Sequence, residues 1–516
     1  MIGSPEILAL TGRPFATIPR LWSARVQRTP DATFLLWEGR TWTYREAWSA
    51  IEERARLFAE LGARVGTRVC GLLANSPDAL WSWFGALRAG ASYVALNPAL
   101  KGLLLEERLR ASRAEVLVTD PPGLESLANA DIRMFRSVAL VELGRLDVVK
   151  SQLSGNGGQL PDITELSDDP FAEASIIGTS GSTGQVKLVR LAHVALTHGA
   201  ARVSDAWGFT PDDVYHAWLP HFHCAGQLNQ TLPIVVAGCR LALFPTFSAS
   251  RFWQQIHDVG ATIVIGLPNV VRIMWQRPPD PAIERSTLRL WVTGPMDATI
   301  HEAFEKRFGL QVLEQYGMTE AELLTLPRFG ERFPLRSCGR PGPDWELQIA
   351  DHDDCPVPPG TVGQILVRPK QPGLLMLGYD QDDAATTAAL RNAWFHCGDL
   401  GYQDDEGFVY FVERRKFVIR RRGENIASGD IEKTVVLHPA VAECAAVGVP
   451  SELGEEDIKL VAEPRPGQVL THESLQQFCV ANLPSYMVPR YIEILPALPR
   501  TPVGKVDKEK LRLQRL

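Results

Sequence analysis

The sequence lacks any apolar stretch long enough to cross a bilayer, and it lacks an excess of basic residues. Its 53 lysines and arginines are outnumbered by 60 acidic residues, which gives a formal net charge of −7. A transmembrane helix needs about 20 apolar residues in succession, and general attraction to nucleic acid needs positive charge. The apolar run at residues 7–10 follows Glu6 and is too short for a signal peptide. We therefore expect a soluble, cytoplasmic protein without a nucleic-acid partner.

The chain also lacks paired cysteines and the Walker pattern of nucleotide-binding loops. No two cysteines form the C-x-x-C pair that is typical of zinc sites and redox dithiols. The only Gly-Lys dipeptide is Gly504-Lys505, which Val506 follows, so G-x-x-x-x-G-K-[ST] is absent. Dispersed thiols indicate free, buried cysteines in a reducing compartment. They are Cys70, Cys224, Cys239, Cys338, Cys355, Cys397, Cys444 and Cys479.

The length of 516 residues exceeds what one hydrophobic core usually organises, so we expect at least two domains. Residues 69–73 and 93–96 have the pattern of strands on either side of an apolar helix at 79–89. This arrangement is a βαβ unit, and its recurrence predicts an α/β fold with mostly parallel sheets. Similar alternation occurs around residues 241–244, 261–265 and 290–292.

The pattern changes after Pro341, where short strands and turns predict a β-rich region. From about Arg414 onward, strands and helices alternate again to the end of the chain. This second change predicts a small C-terminal α+β domain. Its predicted strands lie at residues 447–449 and 458–462, and its predicted helices lie at 431–437 and 475–482.

A segment rich in glycine and hydroxyl residues follows the apolar strand at 175–177. Glycines allow turns that aim backbone N–H groups into one concavity, hydroxyls add donors, and a lysine adds positive charge, so the segment suits a polyphosphate. On composition alone, a flexible surface loop is the other interpretation. The segment consists of Thr179, Ser180, Gly181, Ser182, Thr183, Gly184, Gln185, Val186 and Lys187.

Three further segments combine residue types that bind nucleotides. Tyr316 can stack on a base and Glu320 can hold Mg²⁺, within the run Gln315-Tyr316-Gly317-Met318-Thr319-Glu320. Gly398 and Gly401 flank Asp399 and predict a turn there, where a carboxylate can accept two ribose hydroxyls. Lys505 lies in a Pro/Gly-rich loop before the last helix. Each segment alone also fits an ordinary turn or an exposed charge.

The order and combination of these four segments resemble the adenylate-forming superfamily of acyl-CoA synthetases, luciferase-like enzymes and peptide-synthetase adenylation domains. The resemblance extends over nearly the whole chain, and around residues 247–253 it is strongest to crotonobetaine/carnitine-CoA ligase-like members. Other segments that carry it are residues 43–44, 90–98, 219–223, 337–341, 376–379, 424–426 and 438–441.

The resemblance implies a large N-terminal adenylation domain, residues 1–413, made of stacked α/β subdomains and a β-rich subdomain. It further implies a small, mobile α+β lid domain at residues 414–516, which rotates about a hinge at Lys416 between the two half-reactions. The implied reaction uses ATP and Mg²⁺ to activate a small or aromatic carboxylic acid, with CoA as the acceptor. We expect a monomer or a homodimer.

The resemblance also assigns roles to single residues. In the ATP site, residues 179–187 would hold the β- and γ-phosphates, Thr319 would contact the α-phosphate, and Glu320 would bind Mg²⁺. The adenine would lie against Gly294, Pro295 and Tyr316, and the ribose would be held by Asp399 and Arg414. Further parts of the nucleotide would contact Met296, Gln315, Gly317, Met318 and Phe411. Lys505 would be the principal catalytic residue, together with Thr319, Glu320 and His223, an aromatic gate. The acid substrate would contact His223, Leu267, Asn269, Thr293, Gly317 and Met318.

The sequence departs from the family mainly on the acceptor side. Arg422 stands where the family has the first glycine of Gly-Gly-Glu-Asn-Ile, before Gly423 and Glu424, which would line the acceptor tunnel. Met487 replaces a lysine that helps to bind CoA, and Arg490 is a substitute for that charge.

These departures leave several interpretations open. One is a basic patch that attracts CoA phosphates. Another is a non-CoA acceptor, such as a carrier protein, an amine, or nitrite in an ATP-dependent diazotase. A further interpretation is that the protein is not an enzyme but a catalytically inactive relative that binds a ligand. The presence of every expected charged residue argues against inactivity; these are Lys187, Glu320, Asp399, Arg414 and Lys505.

Overall fold

The computed structural model describes residues 3–151, 166–180, 186–278, 280, 283–296, 298–414, 418–422, 424–452, 454–500 and 506–513. The chain divides into two compact units. Unit 1 comprises Met1–Pro98, Ala111–Gly178 and Leu188–Glu413, and unit 2 comprises Ala99–Arg110, Thr179–Lys187 and Arg414–Leu516.

Helices are distributed through both units. They are α1 Pro5–Thr11, α2 Ile18–Arg28, α3 Tyr44–Glu60, α4 Pro77–Arg88, α5 Gly102–Ser112, α6 Pro121–Ser126, α7 His193–Ala206, α8 Leu232–Ala237, α9 Phe252–Val259, α10 Pro268–Gln276, α11 Ala298–Phe308, α12 Asp383–Ala389, α13 Ser428–Val435, α14 His472–Asn482 and α15 Lys508–Leu513. A π-helix at Ala225–Thr231 and a 3₁₀ turn at Ile283–Arg285 complete the set among the described residues.

A seven-stranded sheet in unit 1 has the order β14-β13-β12-β10-β11-β1-β2. All neighbouring strands are parallel except β2, which pairs with β1 in the antiparallel sense. This is the parallel arrangement that the alternating pattern predicts. The strands are β1 Thr33–Trp37, β2 Arg40–Thr43, β10 Val214–Ala217, β11 Arg240–Leu243, β12 Ile263–Ile265, β13 Leu290–Thr293 and β14 Gln311–Glu314.

An eight-stranded sheet has the order β19-β9-β8-β4-β3-β5-β6-β7. Strands β3 and β4 are parallel and flank α4 in sequence, which confirms the predicted βαβ unit. The strands are β3 Arg68–Leu72, β4 Ser92–Leu96, β5 Val116–Thr119, β6 Ser137–Glu142, β7 Arg145–Ser151, β8 Glu173–Ser180, β9 Val186–Ala192 and β19 Gly378–Tyr379.

Helix α4 illustrates how the sequence specifies these elements. Ser76 caps it by accepting a hydrogen bond from the backbone N–H of Ala79 at 3.2 Å, and Pro77 occupies its first turn without losing a helical hydrogen bond. Its side chains are apolar on nearly every face, and Trp83 and Phe84 are each 1% exposed. A helix with this pattern is stable only inside a core.

After Pro341 the chain forms mainly antiparallel structure, as predicted. Strands β17, β18, β21 and β20 follow one another in a sheet, and β22 pairs with β21. A short β15–β16 ladder precedes them. The strands are β15 Gly317–Met318, β16 Glu322–Leu323, β17 Trp345–Ala350, β18 Gly363–Pro369, β20 Leu390–Arg391, β21 Trp394–Gln403 and β22 Val409–Arg414.

Unit 2 has an α+β fold, as the last part of the sequence predicts. Its three-stranded sheet has the order β25-β26-β27, and β23 and β24 form a separate antiparallel pair. The strands are β23 Val418–Arg421, β24 Glu424–Ala427, β25 Val441–Pro450, β26 Glu456–Pro464 and β27 Tyr491–Ile494.

All eight cysteines are free thiols, as expected, and seven of them are buried. The expectation of burial is wrong for Cys355, which is exposed because it lies in the turn-rich connection after β17. None of the helices in the described part of the chain has the length and apolarity needed to cross a membrane.

Gly266 provides a test of the packing under the carboxyl ends of the parallel strands. A Cβ atom at this position would lie 2.4 Å from Cζ2 of the buried Trp291 ring. We expect Gly266→Ala to destabilise the protein by about 1–3 kcal/mol, because the ring has to move within a close-packed core. Calorimetric unfolding measures the effect.

Gly294→Ala is the matched control, since its Cβ would lie at an ordinary 3.5 Å from Pro268 Cγ. We expect this variant to stay within about 0.5 kcal/mol of the wild type. Equal losses in the two variants would contradict the packing argument.

Candidate active site

Most predicted nucleotide and acid residues of unit 1 follow the carboxyl ends of parallel strands. Leu267 comes after β12, Gly294 after β13, and Gln315 after β14. These three strands are direct neighbours, so their ends meet at one edge of the sheet. His223 follows β10, which pairs with β12 on its other side. Ligands bind at this edge in open α/β sheets.

Backbone hydrogen bonds connect the three loops. The N–H of Gly266 donates to Val292 O at 2.8 Å, and the N–H of Gln315 donates to Thr293 O at 2.9 Å. These two hydrogen bonds join each loop to the end of the neighbouring strand, beyond the hydrogen bonds of the regular β-ladder. The side chains that follow the three strands therefore have defined relative positions.

Tyr316 and Asp399, predicted separately for adenine and ribose, are in direct contact. The Tyr316 hydroxyl donates to Asp399 Oδ2 at 2.8 Å, and both side chains are buried. The ring centroids of Tyr316 and Phe411 are 6.0 Å apart with an angle of 31° between the ring planes. Burial, together with Cys397 and Asp399, raises the pKa of Tyr316 well above its usual value, so its hydroxyl remains a donor.

Glu320, the predicted Mg²⁺ ligand, is buried. Its Oε1 accepts a hydrogen bond from the Tyr379 hydroxyl at 2.9 Å, and its backbone oxygen accepts one from the N–H of Met376 at 2.8 Å. Burial and the charge of Glu320 raise the pKa of Tyr379, so the hydroxyl donates at every physiological pH. Tyr379 belongs to the segment 376–379 that carries the family resemblance, but the sequence does not predict this contact with Glu320.

Two buried polar atoms at the same edge have no hydrogen-bond partner within the described part of the chain. They are Oγ1 of Thr293 and Oε1 of Gln315, whose residues lie side by side across the β13 and β14 ends. Buried polar groups without partners are uncommon, since each costs about 1–3 kcal/mol. Their position fits a ligand with polar groups, such as the base of a nucleotide or an acid.

A charged network that sequence reasoning missed supports the loop after β13. Glu314 Oε2 accepts a hydrogen bond from the N–H of Met296 at 2.9 Å, and Glu314 Oε1 lies 2.8 Å from His301 Nδ1. His301 Nε2 lies 3.7 Å from Glu305 Oε1. Burial alone would lower the pKa of His301, but its two glutamate partners outweigh burial and raise the pKa to about 9.

The residues predicted to contact the acid substrate differ in burial. Asn269 is buried, and its Oδ1 accepts the N–H of Val270 at 2.8 Å; Leu267 is half-buried. Among the nearby histidines, His221 is a satisfied core residue, with ring nitrogens 3.1 Å from Asn75 Oδ1 and 2.8 Å from Thr231 Oγ1. Burial lowers the pKa of His221 to about 4. His223, the predicted gate, is half-buried next to the ring of Phe222.

In unit 2, the arginines near the predicted acceptor tunnel differ in what they contact. Arg421 is buried and donates to Tyr486 O, Val488 O and Asp457. Arg490, the predicted substitute charge, lies 2.7 Å from Asp457 Oδ2, so its charge has a carboxylate partner. Glu424 lies opposite Arg421 in the hairpin register.

Arg422 is exposed and has a φ of 53°. This value lies in the left-handed region, which glycine and asparagine adopt more readily than other residues. It forms the turn between β23 and β24, where tight hairpins require positive φ. The family's glycine at this position has a structural reason, and Arg422 replaces it with a strained, exposed cation.

Several predicted residues lie outside the described residues. They are Gly181, Ser182, Thr183, Gly184, Lys416, Gly423 and Lys505, and the side chains of Ser180 and Arg414. At the ends of the predicted phosphate segment, the Thr179 hydroxyl donates to Lys187 O at 3.5 Å. Within the described ranges, no group of three or more histidine, cysteine, aspartate or glutamate residues is arranged to hold a metal ion.

Family comparisons match both parts of the chain. The family described as AMP-binding enzyme matches residues 22–380, and the AMP-binding enzyme C-terminal domain matches residues 430–505. The chain is 31% identical over 511 residues to a crotonobetaine/carnitine–CoA ligase of Salmonella paratyphi A, covering 96% of this chain and 98% of the relative. It is 32% identical over 487 residues to the ligase of that name from Escherichia fergusonii, covering 91% and 93%.

Solved structures share the fold over nearly the full length. The amide bond synthetase McbA of Marinactinospora thermotolerans superposes with a TM-score of 0.81 at 25% identity, covering 95% of this chain and 99% of that one. The o-succinylbenzoate CoA synthetase MenE of Bacillus subtilis superposes with a TM-score of 0.79 at 24% identity, covering 96% and 98%.

The His301 network predicts a pH-dependent contribution to stability. Because the folded-state pKa of about 9 lies above the ordinary 6.5, the stabilisation is complete below pH 6.5 and is lost as pH rises through about 9. We expect His301→Gln to lower the free energy of unfolding by about 1–3 kcal/mol at pH 6 and by much less at pH 10. Denaturant unfolding of both proteins at the two pH values measures this difference. A loss of equal size at pH 6 and pH 10 would rule out a charged His301.

Proposed function

We propose, on the premise that this chain belongs to the family of AMP-binding enzymes, that it activates a small or aromatic carboxylic acid as its adenylate and transfers the acyl group to CoA. Membership of this family makes the chain an AMP-forming ligase that uses ATP. The observation that carries the proposal is the Tyr316–Asp399 hydrogen bond, because it joins the side chain predicted to stack on the base to the side chain predicted to hold the ribose.

In this proposal the adenine lies between the Gly294–Pro295 backbone and the Tyr316 ring, with Phe411 and Met296 beside it. Asp399 accepts the ribose hydroxyls, together with Arg414. The hydrogen bond from Tyr316 holds one oxygen of Asp399 in place, and a carboxylate makes stronger hydrogen bonds to sugar hydroxyls than a neutral acceptor does. Gln315, Gly317 and Met318 line the passage from the base to the acid.

The phosphates in this proposal contact the Thr179–Lys187 segment, and Thr319 contacts the α-phosphate. Glu320 would hold Mg²⁺, which neutralises charge on the phosphates and needs further oxygen ligands from ATP and water. The contact from Tyr379 fits this role because it orients the Glu320 carboxylate as a hydrogen-bonded metal ligand.

The chemistry consists of two transfers. A carboxylate oxygen of the acid attacks the α-phosphorus of ATP, the bond to the β-phosphate oxygen breaks, and pyrophosphate leaves. Lys505 supplies an ammonium where negative charge accumulates in the transition state, an effect that contributes a factor of about 10²–10³ in rate. The acceptor then attacks the acyl carbon and displaces AMP. His223, Leu267, Asn269 and Thr293 contact the acid throughout.

We assign the two half-reactions to a division of labour between residues 1–413 and residues 414–516, with rotation about Lys416. The physical reason is that one active site cannot hold both Lys505 and the acceptor next to the same acyl group. In this assignment unit 2 presents Lys505 for adenylation and the segment at 422–424 for acceptor transfer.

CoA is the preferred acceptor because the curated relatives at 31–32% identity are named CoA ligases. An amine is the second candidate, since McbA is named an amide bond synthetase and Arg490 has its charge matched by Asp457. The salt bridge to Asp457 weakens the argument that Arg490 replaces the missing lysine at Met487. Nitrite is a third acceptor to be compared in the same assay.

The adenylation role of Lys505 is tested by substitution. We expect Lys505→Ala to reduce pyrophosphate release by about 10²-fold or more while ATP binding is nearly unchanged, since the lysine acts on charge that develops in the transition state. Lys510→Ala, an exposed lysine on α15, is the control and should retain full activity. Pyrophosphate release near the wild-type rate in Lys505→Ala would exclude the assignment.

Substitution of Arg422 distinguishes CoA from the other candidate acceptors. Arg422→Gly should raise the free energy of unfolding by about 1 kcal/mol, because glycine adopts positive φ without strain. If CoA is the acceptor, single-turnover thioester formation from preformed adenylate should be similar or modestly lower in this variant. If a small anion or an amine is the acceptor, the transfer step should be impaired while adenylation is preserved.

Arg422→Asn is the matched control, since asparagine tolerates the same backbone conformation without the charge. Wild-type enzyme that forms thioester efficiently and shows no nitrite-dependent turnover would eliminate the diazotase alternative. Failure to form thioester with every acid that is adenylated would eliminate CoA.

A further inference from the structure

A second glutamate, Glu322, lies two residues after Glu320 and has no part in the reaction described above. It begins β16 and pairs with Met318 across the short β15–β16 ladder. Its φ is 55°, a conformation that side chains with a Cβ disfavour. Strained residues persist where the surrounding structure imposes them, and they are concentrated at functional sites.

The carboxyl group of Glu322 is buried next to a glycine in the middle of α7. A Cβ atom on Gly199 would lie 2.4 Å from Glu322 Oε2 and 2.8 Å from Leu228 Cδ1. The absence of a side chain at Gly199 therefore creates the space that the carboxyl group occupies. Glycine weakens a helix relative to alanine, so this space has a cost in helix stability.

Glu322 is only 4% exposed, and its Oε1 has no hydrogen-bond partner among the residues that the structure describes. The negative charge of Asp344 acts on this carboxyl group, and Asp344 is itself held by His198 at 3.1 Å and by Arg202 at 3.0 Å. Oε1 of Glu322 therefore keeps an acceptor position that none of the described residues fills.

The surroundings of Glu322 include or follow two residues that are predicted to contact the acid, Met318 and His223. Leu228 lies in the π-helix that starts two residues after His223, and the strand partner of Glu322 is Met318. Burial, with the charges of Glu322 and Glu320 acting on the same thiol, raises the pKa of Cys224, the residue after His223. Glu322 thus adjoins the gate segment and the β15 wall of the acid site.

We propose that Glu322 is a specificity-determining residue that binds an amino group on the acid substrate, at a distance from the reacting carboxylate. This inference rests on the proposed adenylation of a carboxylic acid and names the class of that acid. The unpartnered oxygen accepts a hydrogen bond from the amine. The negative charge of Asp344 favours a donor or cationic group at this position and disfavours a second carboxylate.

A purely structural role explains the observations less well. A structural carboxyl group would have its hydrogen bonds satisfied by the chain, because a buried group without a partner destabilises the fold. Here a strained backbone and a helix glycine instead maintain an unsatisfied group at a wall of the acid site. Stability is often sacrificed in this way at sites that bind ligands.

The test compares matched acids that differ by one amino group: benzoate with 3- and 4-aminobenzoate, and propanoate with 3-aminopropanoate. ATP–pyrophosphate exchange gives kcat/KM for each acid, and calorimetry gives acid binding independently of turnover. We expect the wild type to prefer the amine-bearing member of at least one pair by about tenfold or more, and to reject benzene-1,3-dicarboxylate.

Glu322→Leu should reduce this preference to near equality in both measurements, and Glu322→Gln, which still forms hydrogen bonds, should be intermediate. Glu302→Gln, an exposed glutamate on α11, is the matched control and should keep the wild-type preference. The ligand-free Glu322→Leu protein should also have a higher Tm than the wild type, which a structural role for Glu322 would not produce.

Equal use of both members in every pair by the wild type, or an unchanged preference in Glu322→Leu, would overturn the inference while adenylation stands. Absence of exchange with every acid would overturn the proposed function instead. In that case the calorimetric comparison of wild type and Glu322→Leu still decides whether Glu322 binds the amine.

Discussion

The parallel pairing of β12, β13 and β14 is the constraint on which the site depends. Parallel neighbours in register end at the same edge, so Leu267, Gly294 and Gln315 leave the sheet side by side although they are distant in sequence. Two backbone hydrogen bonds, from Gly266 to Val292 and from Gln315 to Thr293, extend this register beyond the strands. The loops that we propose to bind the ligand are therefore tied to the sheet by the backbone, which is the preorganisation that positioning of reactants requires.

Each important carboxylate at this edge is held by a donor from the protein. Asp399 accepts from the Tyr316 hydroxyl, Glu320 from the Tyr379 hydroxyl, and Glu314 from the N–H of Met296 and from His301. A buried carboxylate without such donors would take up a proton and lose its charge. Glu322 is the contrasting case, because its Oε1 has no hydrogen-bond partner among the described residues, and this contrast is why we assign it to the substrate and not to the fold.

How far the sequence predicted these features depends on whether a local pattern carries them. The βαβ unit around α4, the β-rich region after Pro341 and the α+β unit at the C-terminus follow from hydrophobic periodicity and turn residues, and all three are present. The segments predicted to bind the nucleotide were chosen by their composition and order, and their role stays a prediction. The burial of Cys355 was predicted wrongly, because a single cysteine carries no signal that distinguishes a turn from a core.

The sequence by itself determined the fold class, the family and the residue types proposed for the nucleotide site, because these depend on periodicity and on contiguous motifs. Only the tertiary structure decided which side chains share a hydrogen bond or a charge. The partners in the pairs Tyr316–Asp399, His301–Glu314 and Arg490–Asp457 are 83, 13 and 33 residues apart. The space for Glu322 depends on Gly199, which lies on a different element. Contacts over such separations are set by the packing of elements against one another, and no local pattern records them.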